Sequence, residues 1–125
     1  MTATPRAVEL AQAAAAAAQD KLAQEVVGLD VSGQLALTDV FLIASAPSER
    51  QVNAVVDAVE ERLQELGSKP LRREGQREGR WVLLDFGDIV VHVMHTEDRD
   101  FYDLERLWKD CPPVVLPTAP PAAQP

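Results

Sequence analysis

Trp81-Val82-Leu83-Leu84-Asp85, then Phe86-Gly87-Asp88, then Ile89-Val90-Val91-His92-Val93 is the passage on which the fold turns. Two runs of strand-forming residues flank a short turn that contains glycine, which reads as a β-hairpin. If Phe86-Gly87 are the two turn residues, Asp85 faces Asp88, Leu83 faces Val90 and Trp81 faces His92. Side chains alternate across a strand, so Trp81, Leu83, Asp85, Asp88, Val90, His92 and Met94 share one face. Val82, Leu84, Ile89, Val91 and Val93 share the other, which is wholly apolar and reads as core. The first face mixes a Trp, two carboxylates and a His, the composition of a recognition surface. A competing reading lays the protein's own last helix over that face, with Trp81 packed beneath it.

Upstream, Lys69 to Arg80 is polar and holds five of the twelve basic residues. Glu74 and Glu78 interrupt the basic run, so it reads as a solvated loop more than a phosphate track. A local RNA contact through Arg72, Arg73 and Arg77 stays open. Pro70-Leu71-Arg72 predicts a short edge strand. Before it, Ser48 with Gln51 forms a capping box. Val52, Val55, Val56, Val59, Leu63 and Leu66 then mark an amphipathic helix that Gly67 closes. Ala36 to Ser45 carries Val40-Phe41-Leu42-Ile43, dense enough for a strand buried on both faces. Ser32-Gly33 supplies a turn, and Glu25 to Val31 reads as the first strand, weakened slightly by Gly28. Thr4-Pro5 starts the first helix. Along it Val8, Ala11, Ala15, Ala18 and Leu22 form a thin stripe that permits close approach, unless the alanine run only reflects high helix propensity.

Downstream, Tyr102 to Lys109 predicts a short helix, with Leu104, Leu107 and Trp108 on one stripe holding it to the sheet. Tyr102 and Trp108 are also the residue types that anchor interfaces. No charged residue follows Asp110, and six of the nine prolines fall in Pro112 to Pro125, so that tail is expected to be disordered or extended. The reading is therefore a single α/β domain over residues 1–111, a mixed sheet flanked by helices, with a Pro/Ala-rich tail over 112–125.

The chain has 125 residues, enough for one core. Its net charge of −8 argues against broad nucleic-acid or anionic-membrane binding and favours a basic protein partner. Cys111 is the one cysteine, which excludes an internal disulfide and a multi-cysteine metal site. No run approaches the ~20 apolar residues of a membrane span, and no basic start with a bulky apolar centre suggests a secretory signal. A cytoplasmic protein is expected. Asp85, Asp88 and His92 are types that can ligate a divalent metal, but two carboxylates with one His are a frequent accident in an acidic chain and no further fixed ligand follows. No glycine loop with Lys and no serine elbow is present, so neither an enzyme nor a cofactor is expected.

The residues also carry a resemblance. Thr38-Asp39-Val40-Phe41-Leu42-Ile43-Ala44-Ser45 followed by Ser48-Glu49-Arg50-Gln51-Val52 is similar to the signature of the Iojap-type ribosomal silencing factors. So are Glu74-Gly75, the hairpin from Trp81 to His92, and Arg99-Asp100-Phe101-Tyr102-Asp103-Leu104-Glu105-Arg106-Leu107-Trp108. The similarity runs in order from about residue 5 to residue 110. Glu25-Val26 departs mildly from the family's Asp-Ile, and the tail lies outside the pattern. The resemblance implies a domain shaped like nucleotidyltransferases without their catalytic motif. It implies binding to the large ribosomal subunit through ribosomal protein number fourteen. That contact would block an intersubunit bridge and small-subunit joining, lowering translation when nutrients are short. Organelle relatives imply large-subunit biogenesis as the alternative, and self-association of relatives in crystals implies that a homodimer is possible when free. On this reading the candidate contact residues are Trp81, Leu83, Asp85, Asp88, His92, Met94, Arg99 and Tyr102.

Overall fold

The computed structural model describes residues 2–117, and the first helix begins where the sequence signals it. The Thr4 hydroxyl accepts from the Ala7 amide at 3.1 Å, and Pro5 opens α1 (Pro5–Asp20) where a missing N–H costs nothing. The helix buries Ala7, Leu10, Ala11, Ala14, Ala15 and Ala18. The small-residue stripe is therefore real, but its expected ends are not part of it. Val8 is half-buried, and Leu22 lies past the helix end, exposed and at φ +62.

The second helix, α2 (Glu49–Glu65), packs Val52, Val55, Val56, Val59 and Leu63 into the same core. Its capping box is only half formed. The Ser48 hydroxyl accepts from the Gln51 amide at 3.1 Å, but the Gln51 side chain donates to the Lys21 carbonyl at 3.1 Å. That bond ties the start of α2 to the end of α1.

Five strands form one sheet: β1 (Gln24–Asp30), β2 (Val40–Ala46), β3 (Arg72–Glu74), β4 (Trp81–Asp85) and β5 (Ile89–His95), in the order β1-β2-β5-β4-β3. Only β2 and β5 run parallel, so the sheet is mixed, as expected for a crossover through α2. β2 is buried throughout, matching its unbroken apolar run. Both helices lie on one side, where Val82, Leu84, Phe86, Ile89, Val91 and Val93 meet them.

The hairpin register differs from expectation. Leu83 pairs with His92, Trp81 with Met94 and Asp85 with Val90, and the Phe86 amide donates to the Ile89 carbonyl at 2.9 Å. The turn residues are thus Gly87-Asp88, not Phe86-Gly87. Gly87 takes φ +87 at the first turn position, which glycine adopts without strain. Phe86 is released into the helix-covered core. A slip of two residues leaves the two faces unchanged but moves Asp88 off the mixed face into the exposed turn.

The chain after β5 also departs from expectation. The helix expected from Tyr102 begins at Thr96 instead: α3 (Thr96–Tyr102) is followed by a single turn, α4 (Leu104–Leu107). Glu97 and Asp98 sit favourably in the first turn of α3, and the Glu97 amide donates to His95 Nδ1 at 3.1 Å. Asp103, at φ +49, divides the two, a left-handed conformation that Asp tolerates better than most residues. Tyr102 consequently ends a helix instead of starting one. Of the expected stripe, Leu104 is buried, Trp108 half-buried and Leu107 exposed.

Residues 112–117 are extended but attached. The Asp30 amide donates to the Pro112 carbonyl at 2.7 Å, and the Val114 amide to the Gly28 carbonyl at 2.8 Å. The Gln12 and Gln19 side chains donate to the Val115 and Pro117 carbonyls, each at 2.9 Å. Val114 and Leu116 pack on the helix-side core. Proline suits such an edge because it lacks only the donor, and the intervening Val114 supplies one. The expected boundary at residue 111 therefore cuts a packed segment. The rest of the expected tail, 118–125, lies outside the described residues.

Candidate functional site

The sheet face away from α1 and α2 is only partly covered. Leu29, Val31, Ile43, Met94, Leu104 and Cys111 form a smaller core at the end where α3 and α4 return. From there, aromatic rings run out across the face. Phe101 meets Tyr102 with centroids 5.0 Å apart, and Tyr102 meets Trp81 at 5.1 Å. His92 follows at 6.1 Å from Trp81, then Phe41 at 5.0 Å from His92, and Trp108 at 5.0 Å from Phe41. The Phe101–Tyr102, His92–Phe41 and Phe41–Trp108 pairs are edge-to-face, the arrangement the ring quadrupoles favour.

The polar centre of this ribbon is a Trp–His pair. The Trp81 indole N–H donates to His92 Nδ1 at 3.1 Å. An indole nitrogen can only donate, so Nδ1 must be the unprotonated nitrogen, and the neutral ring carries its proton on Nε2. The ring is 4% exposed, and desolvation pushes its pKa down from 6.5 to about 4, so it is neutral at pH 7. Among the described residues, no group accepts from Nε2, which is itself fully buried. Trp81 itself is delivered by the loop after β3. Gly75, at φ +83, lies so close to that strand that a Cβ there would sit 2.0 Å from the Trp81 carbonyl oxygen, so only glycine fits.

Beside His92 the face hollows into a cavity of about 450 Å³. Leu35, Phe41, Leu83 and Val90 supply apolar walls, with Arg72 and Asp85 as its ionic groups. Asp85 accepts from the Gly87 amide at 2.9 Å and lies 3.9 Å from Arg72, so its charge serves the turn as well as the surface. Large apolar side chains stand exposed near both ends of the face: Leu37 is 89% exposed and Phe101 80%.

The structure brings Trp81, Leu83, Asp85, His92 and Tyr102 together on this face and removes three other candidates. Met94 is fully buried, in one cluster with Leu104 of α4 and Cys111, so the chain returning after β5 covers it. Asp88 is in the turn. Arg99 is 3% exposed: it holds Glu105 through two bonds of 3.0 and 3.1 Å, and donates to Ser45 Oγ at 3.1 Å and the Gln24 carbonyl at 3.2 Å. It pins α3 and α4 to β1 and β2, a structural role. Phe41 is core, as the sequence predicts, and also lines the cavity; sequence reasoning missed Phe101, whose exposure depends on how α3 ends. The metal reading also loses its geometry, since Asp88 is apart from His92, whose Nδ1 is occupied by Trp81. Among the described residues, no three His, Cys, Asp or Glu side chains gather as a metal site.

Of the arginines expected to touch RNA, Arg73 is paired with Glu60 at 2.8 Å and Arg72 with Glu74 at 3.1 Å, while Arg77 is exposed. Among the described residues no helix is long and apolar enough to cross a membrane.

A family model described as "Ribosomal silencing factor during starvation" matches residues 4–125, reaching past Asp110, where the resemblance in sequence was expected to stop. "Ribosomal silencing factor RsfS" of Halalkalibacterium halodurans is 45% identical over 108 residues, covering 86% of this chain and 92% of the relative. The protein of the same name from Bacillus subtilis is 43% identical over 99 residues, 79% of this chain and 84% of the relative. A crystal structure of a Chromobacterium violaceum protein matches with a TM-score of 0.78 at 39% identity, covering 81% of this chain and 84% of that one. "Mitochondrial assembly of ribosomal large subunit protein 1" of Mus musculus is 32% identical over 89 residues, 69% of this chain and 39% of the relative.

Proposed function

Since the chain belongs to the ribosomal silencing factor family, we propose that it binds the large ribosomal subunit through ribosomal protein number fourteen. There it sterically blocks an intersubunit bridge and small-subunit joining, and so represses translation. The observation that supports this best is the half-open sheet face, where an aromatic ribbon and exposed Leu37 and Phe101 lie on a chain of net charge −8. Surface of that kind suits a basic protein partner, because buried rings supply area at low entropy cost and the field steers association. Obstruction needs no catalytic group, and the reading is of a cytoplasmic regulator that is not an enzyme.

The contact residues on this reading are Trp81, Leu83, Asp85, Tyr102 and, through the cavity, His92, with Phe101 added by its exposure. A minor RNA contact is left to Arg77, since Arg72 and Arg73 already have carboxylate partners. The test is to incubate purified large subunits with the protein, add small subunits and follow joining by light scattering. Stoichiometric binding with loss of joining is expected. Unchanged joining with the protein demonstrably bound would sink the steric account.

The second reading, large-subunit biogenesis, is favoured by the name of the mouse relative. Depletion that leaves large-subunit precursors to accumulate under rich growth would favour it over silencing. A free homodimer on the same face remains a proposal that sedimentation can check.

A further inference from the structure

We infer that residues 112–117 cap the β1 edge of the sheet, and so keep it from pairing with the β1 edge of a second copy of this chain. A sheet ends in a row of unpaired N–H and C=O groups, which invites another strand. Here the strap takes up such groups on β1. The Asp30 amide donates to the Pro112 carbonyl at 2.7 Å, and the Val114 amide donates to the Gly28 carbonyl at 2.8 Å. Leu29 and Pro113 stand opposite each other between those two bonds. In an antiparallel ladder, residues so placed turn their own main-chain groups away from each other. On the strap that residue is Pro113, which has no N–H to offer a further strand. The carbonyl of Val115 already accepts from the Gln12 side chain at 2.9 Å, and that of Pro117 from Gln19 at 2.9 Å. The strap therefore completes β1 without presenting a continuous new edge.

Gly28 is what lets it lie there. A Cβ at Gly28 would meet Val114 and Leu116 at 3.3 Å, so the strap uses room that a side chain on β1 would fill. The opposite edge, β3, is protected without a cover. It is three residues long, and Arg72, Arg73 and Glu74 are all exposed and charged, both of which discourage pairing. β1 has seven residues, of which only Glu25 and Asp30 are charged. Its stretch from Val26 to Asp30 can meet a second copy about a two-fold axis at Gly28. That axis sets Asp30 opposite the other copy's Val26, with no like charges facing. Bared, the edge is self-complementary. This device is separate from the docking face, which lies on the open side of the sheet.

The test releases the strap within the full chain, by Gly28→Val together with Val114→Pro. Valine suits a strand, and its side chain takes the room of Leu116 against the same core. Proline at position 114 withdraws the donor to Gly28. Parent and variant are compared by sedimentation velocity over a range of concentrations and by amide hydrogen exchange at Asp30. In dilute solution the variant's Asp30 amide should exchange at least about tenfold faster than the parent's, its acceptor having left. On concentration the variant alone should double in mass, and its Asp30 amide should slow again as two edges pair. Fast exchange at Asp30 with no association beyond the parent's would show that the bared edge does not pair, and overturns the cap. Association with Asp30 still exchanging fast puts the contact elsewhere and overturns it equally. An Asp30 amide as slow as the parent's at every dilution means that Gly28 and Val114 do not hold the strap, and the assignment falls. A melting curve shows whether the double variant is folded. If it is not, Val114→Pro alone, which leaves β1 unaltered, should move both measurements in the same direction by less, and no movement in either overturns the cap.

Discussion

The two faces of the sheet obey different rules although they alternate residue by residue along the same strands. On the helix side, Val82, Leu84, Ile89, Val91 and Val93 are completely buried under α1 and α2. On the other side, Trp81, Leu83 and Asp85 are only half-buried. The helix side is closed by small residues: alanines on α1 let it lie close to α2, so valines and leucines fill the remaining space. The open side leaves Trp81 half-buried and Tyr102 and Phe101 exposed, beside a cavity that the described residues do not fill. A face that buries everything can be explained by folding alone. A face that keeps apolar area open is the surface on which the proposed docking rests.

Adjacent residues of β4 offer the sharpest way to break that contrast. Leu84→Ala removes a fully buried side chain and is expected to lose about 3 kcal/mol of stability. Leu83→Ala, one residue away on the cavity wall, should lose no more than about 1 kcal/mol yet bind large subunits distinctly more weakly. Denaturant titration beside subunit binding measures both. Equal loss of stability in the two variants would erase the distinction between the faces.

His92 joins the faces' difference to pH. Its folded-state pKa of about 4 lies below the unfolded value of 6.5, so folding favours the neutral ring. Above pH 6.5 neither state is protonated and this contribution to stability is intact. Below it the unfolded chain takes up a proton that the folded chain refuses until about pH 4. Stability therefore falls across that window, by at most about 3 kcal/mol in total. The stability difference between the parent and His92→Asn isolates this group from the carboxylates. It should shift against the parent as pH falls from 6.5 to 4, and a pH-independent difference would show that the ring is not buried neutral.

The third comparison sets α1 and β1 against their covering strap. Ending the chain after Cys111 removes the Pro112 carbonyl that accepts from the Asp30 amide, Val114's bond to Gly28, and the acceptors of Gln12 and Gln19. At about 1 kcal/mol for each well-made bond, less for the exposed glutamines, the loss should be about 2 kcal/mol. Ending after Pro117 should change nothing measurable. Identical melting of the two truncated forms would show that the strap is held only loosely.

What the sequence made legible follows from how local the signals are. α2 was readable because Ser48 and the valine spacing lie within one segment. The two hairpin faces were readable because alternation survives a slip of two residues, even though the turn was placed one residue early. The register itself depended on whether Phe86 goes into the core, which the turn motif does not encode. Arg99 and Met94 were misplaced for a tertiary reason. Arg99's partners, Gln24, Ser45 and Glu105, come from three different elements, and Met94 is covered only because Asp103 breaks the last helix and sends α4 back over the sheet. The aromatic ribbon was half visible: Trp81 and Tyr102 stood out by type, whereas Phe41 was hidden in an apolar run and Phe101 stood just before the helix expected from Tyr102.

Phe101 gives the smallest expected change in stability and the clearest reading of the open face. It is 80% exposed and its one aromatic neighbour is Tyr102, at 5.0 Å. A ring so placed has little to lose on truncation, so Phe101→Ala should melt within what about 0.5 kcal/mol would shift. An exposed ring at the rim of the ribbon costs water contact in the free protein and recovers it only when a partner covers it. Binding of large subunits should accordingly fall about tenfold, the 1.4 kcal/mol of a moderate anchor. Leu22→Ala is the matched control. Leu22 is 70% exposed and stands just past the end of α1, away from the ribbon, so it should alter neither quantity. If both substitutions leave binding untouched, exposure of apolar side chains on this face carries no functional meaning. If Leu22→Ala weakens binding and Phe101→Ala does not, the partner meets the helical side, and the roles of the two faces are reversed.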